Sequence, residues 1–269
     1  MLVISWNING LRSRFGELKQ LVAVYDPDFV CLQKVRCDFG RGQFDIEGYR
    51  TLHTDMDSGK WSGVVTYARI PTDVGARAKP ISMPQRVDTP ELSIDGHLQV
   101  FICSGFALVN AYVPFSNPVL EGAVQFRRKW DEKFREFLKR LSAQMPIVAC
   151  GDLNVVHTIK DTCDKRLERQ RPCFYKWERD NFDLLLTETD LVDVYREINP
   201  DDVVPTFYGN YRHTGIGNRI DYFLISRPLL RCVAASDILT DFGTGQSVPI
   251  VLDLNPDASA LPPGHITQL

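Results

Sequence analysis

The side chains best placed for chemistry in this chain are carboxylates and amides that directly follow short apolar segments. Asp152 and Asn154 come just after the apolar run 147–150, and Asn7 and Asn9 follow the apolar N-terminal segment. Asp and Asn also form turns at such positions, because their side chains bond to nearby backbone. The pattern therefore indicates either ordinary strand-ending turns or a polar site at which several strand ends meet.

Two further polar residues lie in or at the end of apolar runs. Asp221 is surrounded by apolar neighbours, where a carboxylate is costly unless it is paired or hydrogen-bonded. Arg219 or Lys34 is the cation that we expect to compensate it. Tyr112 ends another apolar run and is either a core tyrosine or a member of the polar site.

The elements that position these residues are short. Eight apolar runs bounded by turn residues have the length and composition of β-strands. They are residues 2–4, 29–32, 63–67, 98–102, 107–113, 147–150, 220–225 and 248–252. Helical periodicity is found in 15–25, 124–141 and 177–186. Strands outnumber helices and the helices occur singly, so we expect an α/β fold of two packed mixed β-sheets flanked by helices.

Composition narrows the class of protein. The chain has 269 residues, 44% hydrophobic and 24% charged, which predicts one globular domain over 1–255 with a loose C-terminal tail, 256–269. The net charge of −3 gives no overall attraction to a polyanion, so nucleic-acid binding would need a local basic surface. Seven cysteines without a CxxC pair favour an intracellular location, in the cytoplasm and nucleoid or in the nucleus. No signal peptide and no apolar run of membrane length are evident.

Four segments together resemble the exonuclease III family of apurinic/apyrimidinic endonucleases, in order and over almost the whole chain. They are residues 5–12 (SWNINGLR), 110–114 (NAYVP), 151–154 (GDLN) and 219–224 (RIDYFL). The resemblance implies a four-layer α/β sandwich with its site at the rim, where strand-end loops converge. It also implies a Mg²⁺-dependent phosphodiesterase that acts on DNA in repair.

The resemblance gives roles to five residues that this chain retains. Asp152 corresponds to the aspartate that activates the attacking water. Asn154 and Tyr112 correspond to residues that contact the phosphate, and Asn7 to a member of the active-site hydrogen-bond network. Asp221 corresponds to the aspartate that orients a catalytic histidine.

The same resemblance exposes three departures. In the family a metal-binding glutamate follows Cys-Leu-Gln, where this chain has Lys34, and Gln246 and Ser247 stand where the family has Asp and His. An ammonium removes a ligand and repels a hard cation such as Mg²⁺. We therefore expect no metal or other cofactor, and a Lys34 ammonium within salt-bridge distance of Asp152 or Asp221. Hydrolysis should be lost or severely impaired, which makes the chain a pseudoenzyme.

Two other functions remain open from the residues. One is an active Mg²⁺-dependent repair endonuclease with a rebuilt ligand set, in which Lys34 faces solvent. His213 is the single histidine that offers a stand-in for the missing one. The other is a protein-interaction module on a nuclease scaffold. Retention of the polar residues at the strand ends favours phosphate recognition over this second alternative.

Basic and aromatic residues predict a local DNA-binding surface. The predicted DNA-binding residues are Arg12, Arg128, Arg166, Phe207, Tyr208, Arg212 and Arg219. Phe207 matches an aromatic of the family's pocket for an abasic sugar, but Asn218 replaces a tryptophan common in the family, so abasic-site selectivity is not predicted. We expect a monomer that binds duplex DNA, abasic or damaged DNA included. A protein partner is left open, and membrane association is not expected.

Overall fold

Two six-stranded sheets form the centre of the computed structural model, which describes residues 1–37, 43–53, 63–71, 85–87, 92, 97–103, 105–164, 171–210 and 212–255. The strands are β1 Leu2–Asn7, β2 Phe29–Gln33, β3 Tyr49–His53, β4 Val64–Arg69, β5 Gln85–Val87, β6 Leu98–Cys103, β7 Phe106–Tyr112, β8 Ile147–Asp152, β9 Leu191–Asp193, β10 Asp221–Ser226, β11 Val233–Ile238 and β12 Ile250–Leu254. The helices are α1 Leu11–Tyr25, α2 Ala123–Ser142, α3 Lys176–Thr189 and α4 Val194–Ile198. The first sheet has the order β11-β12-β1-β2-β4-β3 and the second the order β5-β6-β7-β8-β10-β9.

Alternation along the central strands creates one core between the sheets and one on each outer face. In β8, Val148 and Cys150 belong to the core between the sheets, while Ile147 and Ala149 belong to the core under the helices of the second sheet. Successive side chains of a strand point to opposite faces, so one strand supplies both cores. The result is apolar residues on both faces of these strands, which explains why their sequences read as continuous apolar runs.

Helices cover both outer faces. On α2 the buried stripe includes Trp130, Phe134 and Leu138, which pack on the second sheet together with residues of α3. On α1, Leu18 and Leu21 pack on the first sheet. Charged residues occupy the opposite faces, as expected of surface helices. The layers therefore run helix, sheet, sheet, helix.

At the ends of the central strands, the side chains that point into the space between the sheets are polar instead of apolar. β7 and β10 flank β8, and the register places Tyr112 and Asp221 each opposite Asp152. In the first sheet, Asn7 lies opposite Gln33 across β1 and β2. The alternation that buries apolar residues between the sheets thus directs these polar side chains into the same inter-sheet space.

A glycine permits the close approach of strands beside this space. Gly151 has φ 136°, and a Cβ atom there would lie 1.9 Å from the carbonyl oxygen of Ala111 in β7. Any other residue would push β8 away from β7. Gly151 therefore sets the position of Asp152, its neighbour.

The predicted fold class is confirmed: the chain forms an α/β sandwich of two mixed sheets with flanking helices. The expected strands and helices all occur, with α1 starting four residues before the predicted boundary. The strands β3, β5, β9 and β11 were not predicted, because they are short or lie toward sheet edges and lack an apolar run. The predicted tail lies outside the described residues, and the single domain stays a prediction. None of the described helices has the length and hydropathy of a membrane span.

Candidate active site

Asp152 is the centre of the polar cluster between the sheets. Its side chain is fully buried. Asn7 Nδ2 donates to Asp152 Oδ2 at 2.7 Å, and the backbone N–H of Asn154 donates to Oδ1 at 2.9 Å. Burial raises the pKa of the Asp152 carboxyl, although Lys34 and these hydrogen bonds act in the opposite direction. The structure thus brings together Asn7, Asp152 and Asn154 as the sequence predicted.

Asn154 is held in a conformation that few residue types accept. Its φ of 46° is left-handed, which asparagine tolerates better than most residues. Asn154 Nδ2 donates to the carbonyl of Val113 at 2.8 Å, and Cys173 Sγ lies 3.6 Å from Asn154 Oδ1. The amide is therefore fixed by the segment that follows Tyr112. Tyr112 itself is 8% exposed, and its ring stacks on that of His97 with 5.2 Å between the ring centres.

Lys34 enters the cluster from the first sheet. Lys34 Nζ lies 3.8 Å from Asp152 Oδ2 and 4.9 Å from the centre of the Tyr112 ring. Burial alone would lower the pKa of this ammonium, but the charge of Asp152 and the Tyr112 hydroxyl hold it above its ordinary value. The predicted salt bridge is therefore confirmed, and the alternative in which Lys34 faces solvent is wrong.

The residues around Asp152 do not fit a divalent metal. Two buried oxygens, Asn7 Oδ1 and Asp221 Oδ1, have no hydrogen-bond partner and are of the type that Mg²⁺ prefers. Against this, the Lys34 ammonium carries its positive charge beside Asp152 Oδ2. Among the described residues, no group of three or more His, Cys, Asp or Glu side chains is arranged to hold a metal. An ion would have to displace Lys34 to reach the cluster.

Asp221 is partly compensated by one of the two cations expected, Lys34, and by a hydroxyl that was not predicted. Thr206 Oγ1 donates to Asp221 Oδ2 at 2.6 Å, while Oδ1 is buried without a partner. Burial, together with the charge of Asp152, raises the pKa of the Asp221 carboxyl well above its ordinary value. Of the two cations predicted, Lys34 acts to lower this pKa, whereas Arg219 does not compensate Asp221, because its guanidinium is bound to Asp161 and Asp193. A neutral Asp221 carboxyl is the form that this environment favours.

Gln246 and Ser247 are built into the packing of the site rim. Gln246 Oε1 accepts from Asn9 Nδ2 at 3.0 Å, and Gln246 Nε2 donates to Asn210 Oδ1 at 3.0 Å. The backbone carbonyl of Ser247 accepts from the Trp6 indole at 3.2 Å. Gln246 therefore joins three loops through neutral amides. His213 is exposed on a turn, whereas Asp221 is buried, so the geometry does not support it as a stand-in histidine.

Comparison with known proteins decides the family. The model of the Endonuclease/Exonuclease/phosphatase family matches residues 4–243. This chain belongs to that family. It is 31% identical to the DNA repair nuclease APEX1 of Danio rerio over 264 residues, covering 94% of this chain and 82% of the relative. It is 27% identical to an exodeoxyribonuclease of Bacillus subtilis, covering 95% of this chain and all of the relative. Within the family it is an exonuclease III-like member of the apurinic/apyrimidinic endonucleases.

Solved structures share the fold. An AP endonuclease from Archaeoglobus fulgidus superposes with a TM-score of 0.79 at 22% identity, over 95% of this chain and 100% of that one. A Neisseria 3' phosphatase, NExo, bound to a product DNA hairpin superposes with a TM-score of 0.78 at 19% identity, over 94% of this chain and 99% of that one. These likenesses confirm the four-layer sandwich of the exonuclease III family.

The predicted DNA-binding residues fall into two groups in this family member. Arg12 and Arg128 are exposed, with the Arg128 guanidinium 4.1 Å from the centre of the Trp177 ring. Phe207 is half-buried and packs on a small cluster that includes Cys173. These residues are available to a ligand, and their role stays a prediction. Arg166 lies outside the described residues.

The other group holds the protein together. Arg219 is 1% exposed; its guanidinium donates to Asp193 Oδ2 at 2.6 Å and to Asp161 Oδ1 at 2.8 Å. It cannot reach DNA from this position, so its prediction as a DNA contact is wrong. Arg212 donates to the carbonyls of Gly245, at 3.1 Å, and of two other residues in the loop before β12. It lies over the half-buried ring of Tyr208, at 5.8 Å from the ring centre.

Sequence reasoning missed a buried polar network behind the site. Gln33 Nε2 donates to Ser5 Oγ at 3.0 Å and to Asn110 Oδ1 at 2.9 Å, which joins the two sheets. The alternation along β2 and β7 could have indicated this network, because it places Gln33 and Asn110 on the same strand faces as the apolar residues between the sheets. Thr206 was also missed. Nothing in its local sequence marks it as the partner of Asp221.

Proposed function

We propose that this chain is a DNA-binding member of the apurinic/apyrimidinic endonucleases in which phosphodiester hydrolysis is lost or severely impaired. The observation that carries the proposal is the position of the Lys34 ammonium, 3.8 Å from Asp152 Oδ2. Asp152 is the carboxylate expected to activate water, and its neighbour is a fixed cation instead of a carboxylate-bound metal. An ammonium supplies charge but does not acidify a bound water as a metal ion does.

The proton-transfer groups are altered as well. Asp221 lacks the histidine that it would orient, and its Oδ1 has no hydrogen-bond partner. Gln246, an uncharged residue, is engaged with Asn9 and Asn210. General acid–base catalysis typically contributes about 10²- to 10⁴-fold, and electrostatic stabilisation about 10²- to 10³-fold per donor. Losing both kinds of group leaves little basis for turnover.

DNA binding is supported by what remains. By the resemblance, Tyr112 and Asn154 correspond to residues that contact the phosphate and Asn7 to the active-site hydrogen-bond network, and Arg12 and Arg128 are exposed. Relatives of this chain are named as DNA repair nucleases and exodeoxyribonucleases. Contacts to the phosphate backbone of DNA give affinity without sequence preference. We further propose an intracellular location, since all seven cysteines are free thiols and four of them lie between or beneath the sheets.

An incision assay tests the loss of hydrolysis. An end-labelled duplex with a single abasic site is incubated with the protein in EDTA, Mg²⁺ or Mn²⁺, beside a competent relative. We expect no incision above background in any condition. Turnover comparable with that of the relative would overturn the proposal and favour an active enzyme with a rebuilt ligand set.

A salt titration tests the DNA-binding half. If about 4 to 6 phosphates are neutralised, the logarithm of the association constant should fall against the logarithm of salt concentration with a slope of roughly −4 to −5. Fluorescence anisotropy of a labelled duplex measures this slope. Binding that does not depend on salt, or none at low salt, would favour a protein-interaction module instead.

A further inference from the structure

We infer that Lys34 makes DNA binding at this site independent of divalent cations, because its ammonium permanently supplies positive charge beside Asp152. The inference rests on the proposed function and concerns how the same site recognises a phosphate. It begins from the misfit between the residues around Asp152 and a metal ion. The ligand chemistry concerned is a phosphodiester oxygen of duplex DNA.

The backbone holds Lys34 in one orientation. Lys34 has φ 51°, a left-handed conformation in which lysine is uncommon. Its carbonyl accepts from the N–H of Gly10 at 2.9 Å, and the N–H of Val35 donates to the carbonyl of Gly63 at 3.2 Å. The loop after β2 is thus tied to the start of α1 and to the strand-leading segment before β4. A strained residue held by its surroundings is typical of functional sites.

The charges around Lys34 explain what the ammonium contributes. It faces the two carboxyl groups Asp152 and Asp221 and the Tyr112 hydroxyl. Arg36, two residues further along, adds a positive charge that acts on the same hydroxyl. In Lys34→Glu, the new carboxylate and that of Asp152 would both face an incoming phosphate, and no ammonium would offset them. The lysine removes that repulsion without recruiting an ion.

This arrangement predicts opposite responses to Mg²⁺ in the native chain and in Lys34→Glu. In the native chain, the described residues around Asp152 offer Mg²⁺ no ligand set, so at this site the ion can only compete for DNA phosphates. In Lys34→Glu, the new carboxylate lies beside Asp152 and the unpartnered Asn7 Oδ1, all oxygen ligands suited to Mg²⁺. DNA binding by the variant should therefore be weak in EDTA and recover with Mg²⁺.

The experiment measures the dissociation constant of a labelled duplex that carries a stable abasic analogue. Each protein is titrated in EDTA and in Mg²⁺, with KCl adjusted to constant ionic strength, and incision is scored on the same samples. Lys34→Met removes the charge while keeping an apolar side chain of similar length. Lys139→Glu makes the same charge change at the C-terminal end of α2, on a side chain that is 52% exposed. Thermal melts with and without Mg²⁺ report folding and metal binding together.

We expect native binding in EDTA to be as tight as in Mg²⁺ or tighter. Lys34→Glu should bind about tenfold more weakly in EDTA, recover most of that loss in Mg²⁺ and melt at a higher temperature with the ion. Lys34→Met should lose affinity without recovery, and Lys139→Glu should resemble the native chain.

Native binding that requires Mg²⁺, or native binding in EDTA that Lys34→Met leaves unchanged, would overturn the inference. These readings use the native chain and a neutral variant, so they hold even if Lys34→Glu does not fold. Incision by the native chain would overturn the proposed loss of hydrolysis without deciding whether binding needs an ion. An absence of incision combined with Mg²⁺-dependent binding would overturn the inference alone.

Discussion

The two sides of the site have diverged to different degrees. On the side proposed to face phosphate, formed by Asn7, Tyr112 and Asn154, the residues expected of the family are present, and Asn7 and Asn154 both donate hydrogen bonds to Asp152. On the reactive side, formed by Lys34, Asp152, Asp221, Gln246 and Ser247, only the two aspartates are retained.

The difference follows from how each side is built. The phosphate-facing residues lie at or next to the ends of central strands, and their positions are set by sheet register. Two of the altered residues, Gln246 and Ser247, lie in the loop before β12. Side chains in such loops can change without disturbing either sheet. Under the proposed function, binding geometry persists with the fold, whereas reactivity depends on a few replaceable side chains.

The largest expected effect comes from rebuilding the reactive side. Combining Lys34→Glu, Gln246→Asp and Ser247→His returns the expected carboxylate and gives Asp221 a histidine partner. With Mg²⁺, incision of an abasic duplex should rise by at least about 10²-fold over the native chain, whereas Lys34→Glu alone should give no gain. Single-turnover incision measures both, and a thermal melt shows whether the triple variant is folded. No gain from a folded triple variant would mean that the phosphate-facing side has also changed.

A second prediction separates arginines that hold the fold from those available to DNA. Arg219→Gln leaves the buried carboxylate of Asp193 beside an uncharged amide, while Asp161 keeps its ion pair with Arg196, so the free energy of unfolding should fall by about 3 to 5 kcal/mol. Arg128→Gln, on an exposed side chain that stacks on Trp177, should change it by less than about 1 kcal/mol. Urea denaturation measures both.

DNA affinity supplies the other half of this comparison. Arg128→Gln should weaken DNA binding and make the salt slope shallower by about 1, because one phosphate contact is lost. An unchanged slope for Arg128→Gln, or near-native stability for Arg219→Gln, would break the proposed division between the two arginines.

A smaller effect is expected at Asp221 and depends on pH. Its folded-state pKa lies above the unfolded value of about 3.9, so the folded protein binds this proton more tightly. The stability that protonation gives is present at low pH and is lost as pH rises from about 4 through the folded-state pKa. Asp221→Asn, which cannot ionise, should therefore gain about 1 to 2 kcal/mol over the native chain at pH 8 and little at pH 4.

Urea denaturation at the two pH values checks this prediction. Asp241→Asn, at an exposed carboxylate, is the matched control and should show no such difference. An equal gain in the free energy of unfolding from Asp221→Asn at both pH values would show that ionisation of Asp221 does not destabilise the fold.

Much of the fold could be predicted because the length of an apolar run, and the alternation of side chains along a strand, can be read from neighbouring residues in the sequence. Val148 and Cys150 face the inner core and their neighbours the outer one, which makes the run readable as a buried strand. The resemblance to the family supplied the site positions, and the register then explained why Tyr112 and Asp221 flank Asp152. Edge strands such as β11 carry no apolar run and were missed.

Long-range partners could not be predicted. Arg219 is two residues from Asp221 in sequence, yet its guanidinium pairs with Asp161 and Asp193, which are 58 and 26 positions away. Thr206 reaches Asp221 from 15 positions away. Each of these contacts depends on how loops fold over the sheet ends. The sequence therefore identified which groups needed partners, but not which residues would provide them.

Measuring binding and incision in one sample tests most directly whether the chain binds DNA without cleaving it. The protein is added in excess over a labelled abasic duplex at low salt with Mg²⁺, so that all DNA is bound, and shift and cleavage are read together over time. We expect a complete shift with no cleavage above the background of DNA alone. Cleavage of the bound duplex at a rate near that of a competent relative would contradict it, because the reactive side would then be intact in function despite Lys34, Gln246 and Ser247.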